Sequence, residues 1–139
     1  MLLIDNSAWS FLLAGAMPRV RLNAVVEMLD SEEIAACTPF LLEAGYSAQS
    51  AVDHEQSVDR LRMLAAVSID ADVEATAHKA QRELARVGHH RMSPIDLMIA
   101  ACAHEAGMGI LHYDPDYDRI AELTSLRFES VWVAPAGSL

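Results

Sequence analysis

Three short apolar runs stand out against longer segments with helical spacing. Leu2, Leu3 and Ile4 form the first and end at Asp5; Ile34 to Cys37 form the second, and Gly109 to His112 the third. Runs this short cannot make a helix and read as buried strands. Phe128 to Val133 alternates weakly and gives a last strand, while Val67 to Ile69 reads as a short strand or a turn.

Helices are expected between these runs. Asn6 and Ser7 are helix-starting residues, so the first helix is expected from about Ser7 to Ala16. Pro18 suits the first turn of a second helix, with Val20, Leu22, Val25, Val26 and Leu29 as its apolar face. Thr38 is expected to cap a helix opened by Pro39. Val58, Leu61, Leu64 and Ala65 recur at helical spacing between Asp53 and Ala66. Val73, Ala77, Ala80, Leu84 and Val87 do the same up to Gly88, a C-terminal cap. Ser93 and Pro94 start a helix that ends at Gly107, and Asp114-Pro115 opens a short one. Strands alternating with helices predict one α/β domain over residues 1–139, a central parallel sheet flanked by helices on both faces. In such sheets the functional crevice lies beyond the carboxyl ends of the strands, where Asp5 and Asp114 stand.

Composition narrows the class. A chain of 139 residues suffices for one sizeable core, and 53% hydrophobic content excludes a disordered chain. No uncharged apolar run reaches the roughly 18 residues that cross a bilayer, so no membrane association is expected. No basic residue precedes the apolar stretch Ala8 to Met17, so a signal peptide is not expected. Cys37 and Cys102 match no metal or redox spacing and read as small buried hydrophobes in a reducing, cytoplasmic setting. Ten basic residues against twenty acidic give a formal charge of −10, which argues against broad electrostatic gripping of nucleic acid. An enzyme that approaches nucleic acid through a bound cation stays open.

Five acids carry the candidate chemistry. Asp5 closes the first strand, Glu43 interrupts Phe40-Leu41-Leu42-Glu43-Ala44, Asp96 opens a helix, and Asp114 and Asp116 follow the third strand. Each has a plain alternative. Asp5 and Asp114 suit helix caps, and Ser93-Pro94-Ile95-Asp96 is a capping box. A glutamate among Leu41, Leu42 and Ala44 is harder to dismiss, because a buried carboxylate needs a partner. Carboxylates converging at one sheet edge repel each other, and a divalent cation relieves that. Oxygen ligands without cysteine or paired histidine suit Mg²⁺ or Mn²⁺ and the cleavage of phosphodiesters.

The sequence also resembles a known family, the PIN-domain ribonucleases, and especially the VapC toxins of bacterial toxin–antitoxin pairs. Leu3-Ile4-Asp5-Asn6-Ser7 looks like that family's opening strand and first acid, and Leu42-Glu43-Ala44 like its mid-chain glutamate. Arg91-Met92-Ser93-Pro94-Ile95-Asp96-Leu97-Met98-Ile99-Ala100-Ala101 resembles the helix with its third acid. Gly109 to Tyr117 resembles its closing strand and acidic pair. The order and spacing span essentially the whole chain. The resemblance implies a PIN-like fold and an Mg²⁺- or Mn²⁺-dependent endoribonuclease that cleaves tRNA or a ribosomal RNA loop and inhibits translation and growth. It also implies a homodimer and a VapB-like antitoxin that blocks the site. Asp5, Glu43, Asp96 and Asp114 would be catalytic, with Asp5, Asp96, Asp114 and Asp116 around the metal. Asn6 stands where the family often has Thr, and His112 where it commonly has Thr or Ser.

Arg91 is the candidate contact to an RNA phosphate, whereas His89 and His90 read as a solvated loop. Trp9, Phe11, Leu12 and Leu13 are expected mostly in the core, with any exposed remainder serving an antitoxin helix or a dimer seam. Two alternatives compete with the ribonuclease. One is a partner-binding α/β domain whose acids only cap helices; the other is a DNA-directed nuclease with the same metal site.

Overall fold

A computed structural model describes residues 1–139. Its strands are β1 (Leu2–Ile4), β2 (Ile34–Cys37), β3 (Ala65–Val67), β4 (Gly109–His112) and β5 (Ser130–Trp132). The helices are α1 (Asn6–Ala14), α2 (Arg19–Asp30), α3 (Thr38–Tyr46), α4 (Ala51–Leu61), α5 (Ala71–Arg86), α6 (Pro94–Ala106) and α7 (Pro115–Leu123). The sheet runs β3-β2-β1-β4-β5 with every pairing parallel. β1 is central, with Leu2 opposite Ile34 on one side and Gly109 on the other. All four residues of β2 and all four of β4 are buried. Because successive side chains point to opposite faces, both faces of the sheet are covered, as the short apolar runs predict.

The core lies against this sheet, built from Leu3, Ile4, Ile34, Ile110 and Leu111 with Phe40, Leu84 and Ile99 from the helices. Trp9 meets Phe40 edge to face and ties α1 to α3. Cys37 and Cys102 are buried free thiols. Of the α1 apolar residues, Trp9, Phe11 and Leu12 pack partly against the core, while Leu13 stays 54% exposed. No helix is long and apolar enough to cross a membrane.

Several boundaries depart from expectation. α4 stops at Leu61 instead of Ala66, and β3 takes Ala65 to Val67 instead of Val67 to Ile69. Two alanines in an edge strand carry no hydrophobic signal; pairing of Ala35 with Ala65 and of Cys37 with Val67 defines that strand. Thr38 is already the first helical residue of α3, and Cys37 occupies the cap without a side-chain bond. α1 ends two residues early because Gly15 turns left-handed, φ 63°. Gly88 does close α5 as expected. At φ +80°, its N–H donates to the Ala85 carbonyl while that of His89 reaches Leu84, a Schellman closure that glycine permits.

The topology positions the site. The chain leaves β1 toward β2 and β3 on one side, then returns to place β4 and β5 on the other. The order therefore reverses between β1 and β4, where α/β sheets open a crevice at their carboxyl edge. Asp5 and Asp114 flank that crevice. α6 feeds into β4, so its N-terminal turn, with Asp96, arrives at the same edge.

Candidate active site

Each acid is held by ordinary local chemistry. Asp5 is the N-cap of α1: its Oδ2 accepts from the Ser7 N–H at 2.9 Å and from the Ser7 hydroxyl. Ser7 Oγ in turn accepts the Tyr113 N–H at 2.9 Å, which ties the end of β1 to the loop after β4. Asp114 is the N-cap of α7, its Oδ1 accepting from the Asp116 N–H at 2.9 Å. At Asp96 only half of a capping box forms: Ser93 Oγ accepts the Asp96 N–H at 3.4 Å. The Asp96 carboxylate turns inward, where Tyr117 donates its hydroxyl toward Oδ1 at 3.4 Å. Capping accounts for where these backbones sit, and leaves oxygens over.

Three of the carboxylates converge. Asp96, Asp114 and Asp116 each offer a carboxylate oxygen, all within 4.8 Å of one another. Each of the three has an Oδ2 that accepts no bond from the protein, since Tyr117, Asp116 N–H and Arg119 all reach Oδ1. Asp5 lies beside them but outside this group, with both oxygens already bonded: Oδ1 accepts the Tyr117 hydroxyl at 2.8 Å. Glu43, half-buried on α3, faces Asp5 and Asp114 closely enough to feel both charges.

The electrostatics follow from that crowding. One cation enters, Arg119, 3.0 Å from Asp116; Asp5, Glu43, Asp96 and Asp114 have no ion-pair partner. Burial, reinforced by the charges of Asp5, Asp114, Glu43 and Asp116, pushes Asp96 from 3.8 to about 7. Burial, then the charges of Asp5 and Asp114, raises Glu43 above the ordinary glutamate range. An all-carboxylate donor set of this density fits a hard divalent cation such as Mg²⁺ or Mn²⁺, and holds neither the cysteine nor the histidine that zinc favours.

Other residues support the cluster, and sequence reasoning missed most of them. His112 is fully buried between Tyr117 and Trp132. Its Nδ1 accepts the Asp114 N–H at 3.1 Å, so Nε2 carries the proton and donates to Ser130 Oγ at 2.6 Å. Ser130 passes a bond on to Asp118, which also accepts from Trp132 Nε1 at 3.0 Å. Burial holds His112 below its usual pKa, in the neutral form this chain of bonds needs. His112 thus steadies the Asp114 backbone from below rather than facing the opening. Arg91 lines a groove of about 180 Å³ with His89, Asp116 and Arg119, directly beside the acids. Arg119 carries no signal beyond being polar, and His89, expected in a solvated loop, is exposed and lines this groove; only the fold brings the two together.

Comparison with known proteins agrees with this architecture. The family model described as PIN domain matches residues 2–123. Ribonuclease VapC18 of Mycobacterium tuberculosis is 39% identical over 139 residues, covering 98% of this chain and 97% of the relative. Ribonuclease VapC51 of the same species is 34% identical over 129 residues, with 88% and 87% covered. Among solved structures, VapBC2 from Rickettsia felis, bound to a DNA fragment from the promoter, superposes with a TM-score of 0.72 at 17% identity, covering 88% of this chain and 95% of that one. DNA-bound VapBC from Salmonella typhimurium gives 0.72 at 20% identity, with 96% and 100% covered.

Proposed function

The chain belongs to the PIN-domain family and is similar over nearly its full length to VapC ribonucleases, and from that premise we propose that it is a metal-dependent endoribonuclease, the toxin of a toxin–antitoxin pair. The observation that carries the metal reading is the trio Asp96, Asp114 and Asp116, whose carboxylates meet within 4.8 Å with a free oxygen each. Such a group is costly without a positive charge among it.

Asp96, Asp114 and Asp116 would hold Mg²⁺ or Mn²⁺ directly, and Asp5, with both oxygens engaged, through water. When bound, the cation acidifies a water molecule and offsets charge on the scissile phosphate. Glu43 stands across from Asp5 and Asp114 with a raised proton affinity, which suits a carboxylate that takes a proton from attacking water. Arg91 would hold an RNA phosphate in the groove beside Asp116. Asp5, Glu43, Asp96 and Asp114 are thus the catalytic set. The substrate is structured RNA, tRNA or a ribosomal RNA loop, and its cleavage would arrest translation and growth.

A VapB-like antitoxin and a homodimeric state complete the reading. The antitoxin is supported by the VapBC complexes that share the fold. An antitoxin segment that blocks this site needs Arg or Lys, because it must approach clustered carboxylates. The test is cleavage of purified tRNA and ribosomal RNA by the parent in Mn²⁺, beside EDTA and Asp96→Asn. Discrete products from the parent with Mn²⁺ alone are expected. Equal cleavage by Asp96→Asn, or cleavage in EDTA, would overturn the assignment.

A further inference from the structure

Tyr117 is the largest side chain buried completely, and α7 turns it under the acids rather than toward solvent. Its ring lies 4.9 Å from the His112 ring, centroid to centroid. A buried tyrosine needs a partner for its hydroxyl, and a single neutral acceptor suffices. Here the hydroxyl instead stands between two carboxylates from different elements, 2.8 Å from Asp5 Oδ1 and 3.4 Å from Asp96 Oδ1. It is the only donor that reaches the Asp96 carboxylate, and the only donor on Oδ1 of Asp5. Having one proton, it bonds Asp5 and leans on Asp96, so the spacing of the two acids is referred to a rigid, packed ring. Burial and the two carboxylates keep that proton in place, well above the usual tyrosine range.

We propose that the Tyr117 hydroxyl is a positioning group for the divalent cation: it sets the separation and orientation of Asp5 and Asp96, so that the cation meets oxygens already aimed. The inference rests on the metal reading above and extends it to a residue behind the ligands. Tyr117 touches neither substrate nor solvent. Its counterpart on the other oxygen of Asp5 is Ser7, so that Asp5 is gripped from both sides. Partners behind metal ligands typically contribute about 10–100-fold in metal affinity, because without them each ligand must be ordered at the expense of binding.

Tyr117→Phe removes the hydroxyl and keeps the ring. Mn²⁺ binding to the metal-free protein, followed by the loss of free-Mn²⁺ paramagnetic resonance signal, is expected to weaken at least about tenfold relative to the parent. RNA cleavage should fall at limiting Mn²⁺ and recover largely at saturating Mn²⁺, with KM for RNA unchanged. Tyr117→Leu, which loses ring and hydroxyl, separates packing from positioning. If only Leu weakens Mn²⁺ binding, the ring and not the hydroxyl matters, and the proposal is overturned. A Phe variant that binds Mn²⁺ as tightly as the parent overturns it as well, while the metal reading stands. A parent that binds no Mn²⁺ removes both.

Discussion

Replacing Asp96 by Asn should stabilise the metal-free protein, and by an amount that depends on pH in a defined way. Asp96 is only 8% exposed and faces four other carboxylates. Its pKa rises from 3.8 in the unfolded chain to about 7 in the fold, so the folded state holds the proton longer. Stability is therefore undiminished below pH 3.8, declines as pH rises through the window up to about 7, and stays reduced above it. At about 1.4 kcal/mol per pH unit, ionised Asp96 costs on the order of 4 kcal/mol, less whatever water in the opening screens. Asn never ionises and escapes that cost. In EDTA, the Asn variant should exceed the parent by about 2–4 kcal/mol at pH 8, several degrees in Tm. The gap should narrow by roughly half, about 1–2 kcal/mol, at pH 5.5. Urea titration followed by circular dichroism at both pH values measures it, and effects common to both proteins cancel in the difference. Mn²⁺ at a thousandfold excess over its Kd adds about 4.1 kcal/mol to the protein that binds it, and should close or reverse the gap. An Asn variant less stable than the parent at pH 8, or a gap indifferent to pH, would refute the electrostatic reasoning.

Three other substitutions probe separate links. Ser7→Ala strips the Tyr113 N–H of its acceptor and Asp5 of a donor, so Tm in EDTA should fall by the equivalent of about 1–2 kcal/mol; an unchanged Tm contradicts the tie between β1 and β4. Gly109→Ala puts a methyl group 2.7 Å from Leu2 Cδ2 and 3.0 Å from the Glu129 carbonyl, and should cost about 1–3 kcal/mol in chemical denaturation; a neutral result means the strands separate more easily than their packing implies. Arg91→Gln should raise KM for RNA with little change in kcat and flatten the salt dependence of RNA binding by about 0.7 in log–log slope, whereas an unchanged slope removes Arg91 from the phosphate path.

How far the site was legible follows from where its residues lie in the chain. Asp5, Asp96 and Asp114 sit at strand ends and helix starts, positions that hydrophobic periodicity marks, and the fold delivers them to one edge. Asp116, expected around the metal from the family resemblance, stands inside the three-carboxylate group, with Asp5 beside it. Tyr117 was invisible, because an aromatic at helical spacing reads as core, and only its hydroxyl's two neighbours, 112 and 21 residues away in sequence, set it apart. The bonds around His112 depend likewise on Ser130 and Asp118, which a sheet edge and a helix bring together. In the fold, β2 and β4 match their apolar runs because both faces are buried. β3 does not, since an Ala-Ala-Val edge owes its place to backbone pairing.

Three carboxylates, gathered by two helix starts at the carboxyl edge of the sheet, are proposed to hold a divalent cation. Anomalous diffraction from crystals of the protein soaked in Mn²⁺ tests it most directly. One or more peaks are expected within coordination distance of Asp96, Asp114 and Asp116, absent from Asp96→Asn crystals soaked in the same way. A peak elsewhere with none at these carboxylates, or one unaltered by the substitution, would contradict it.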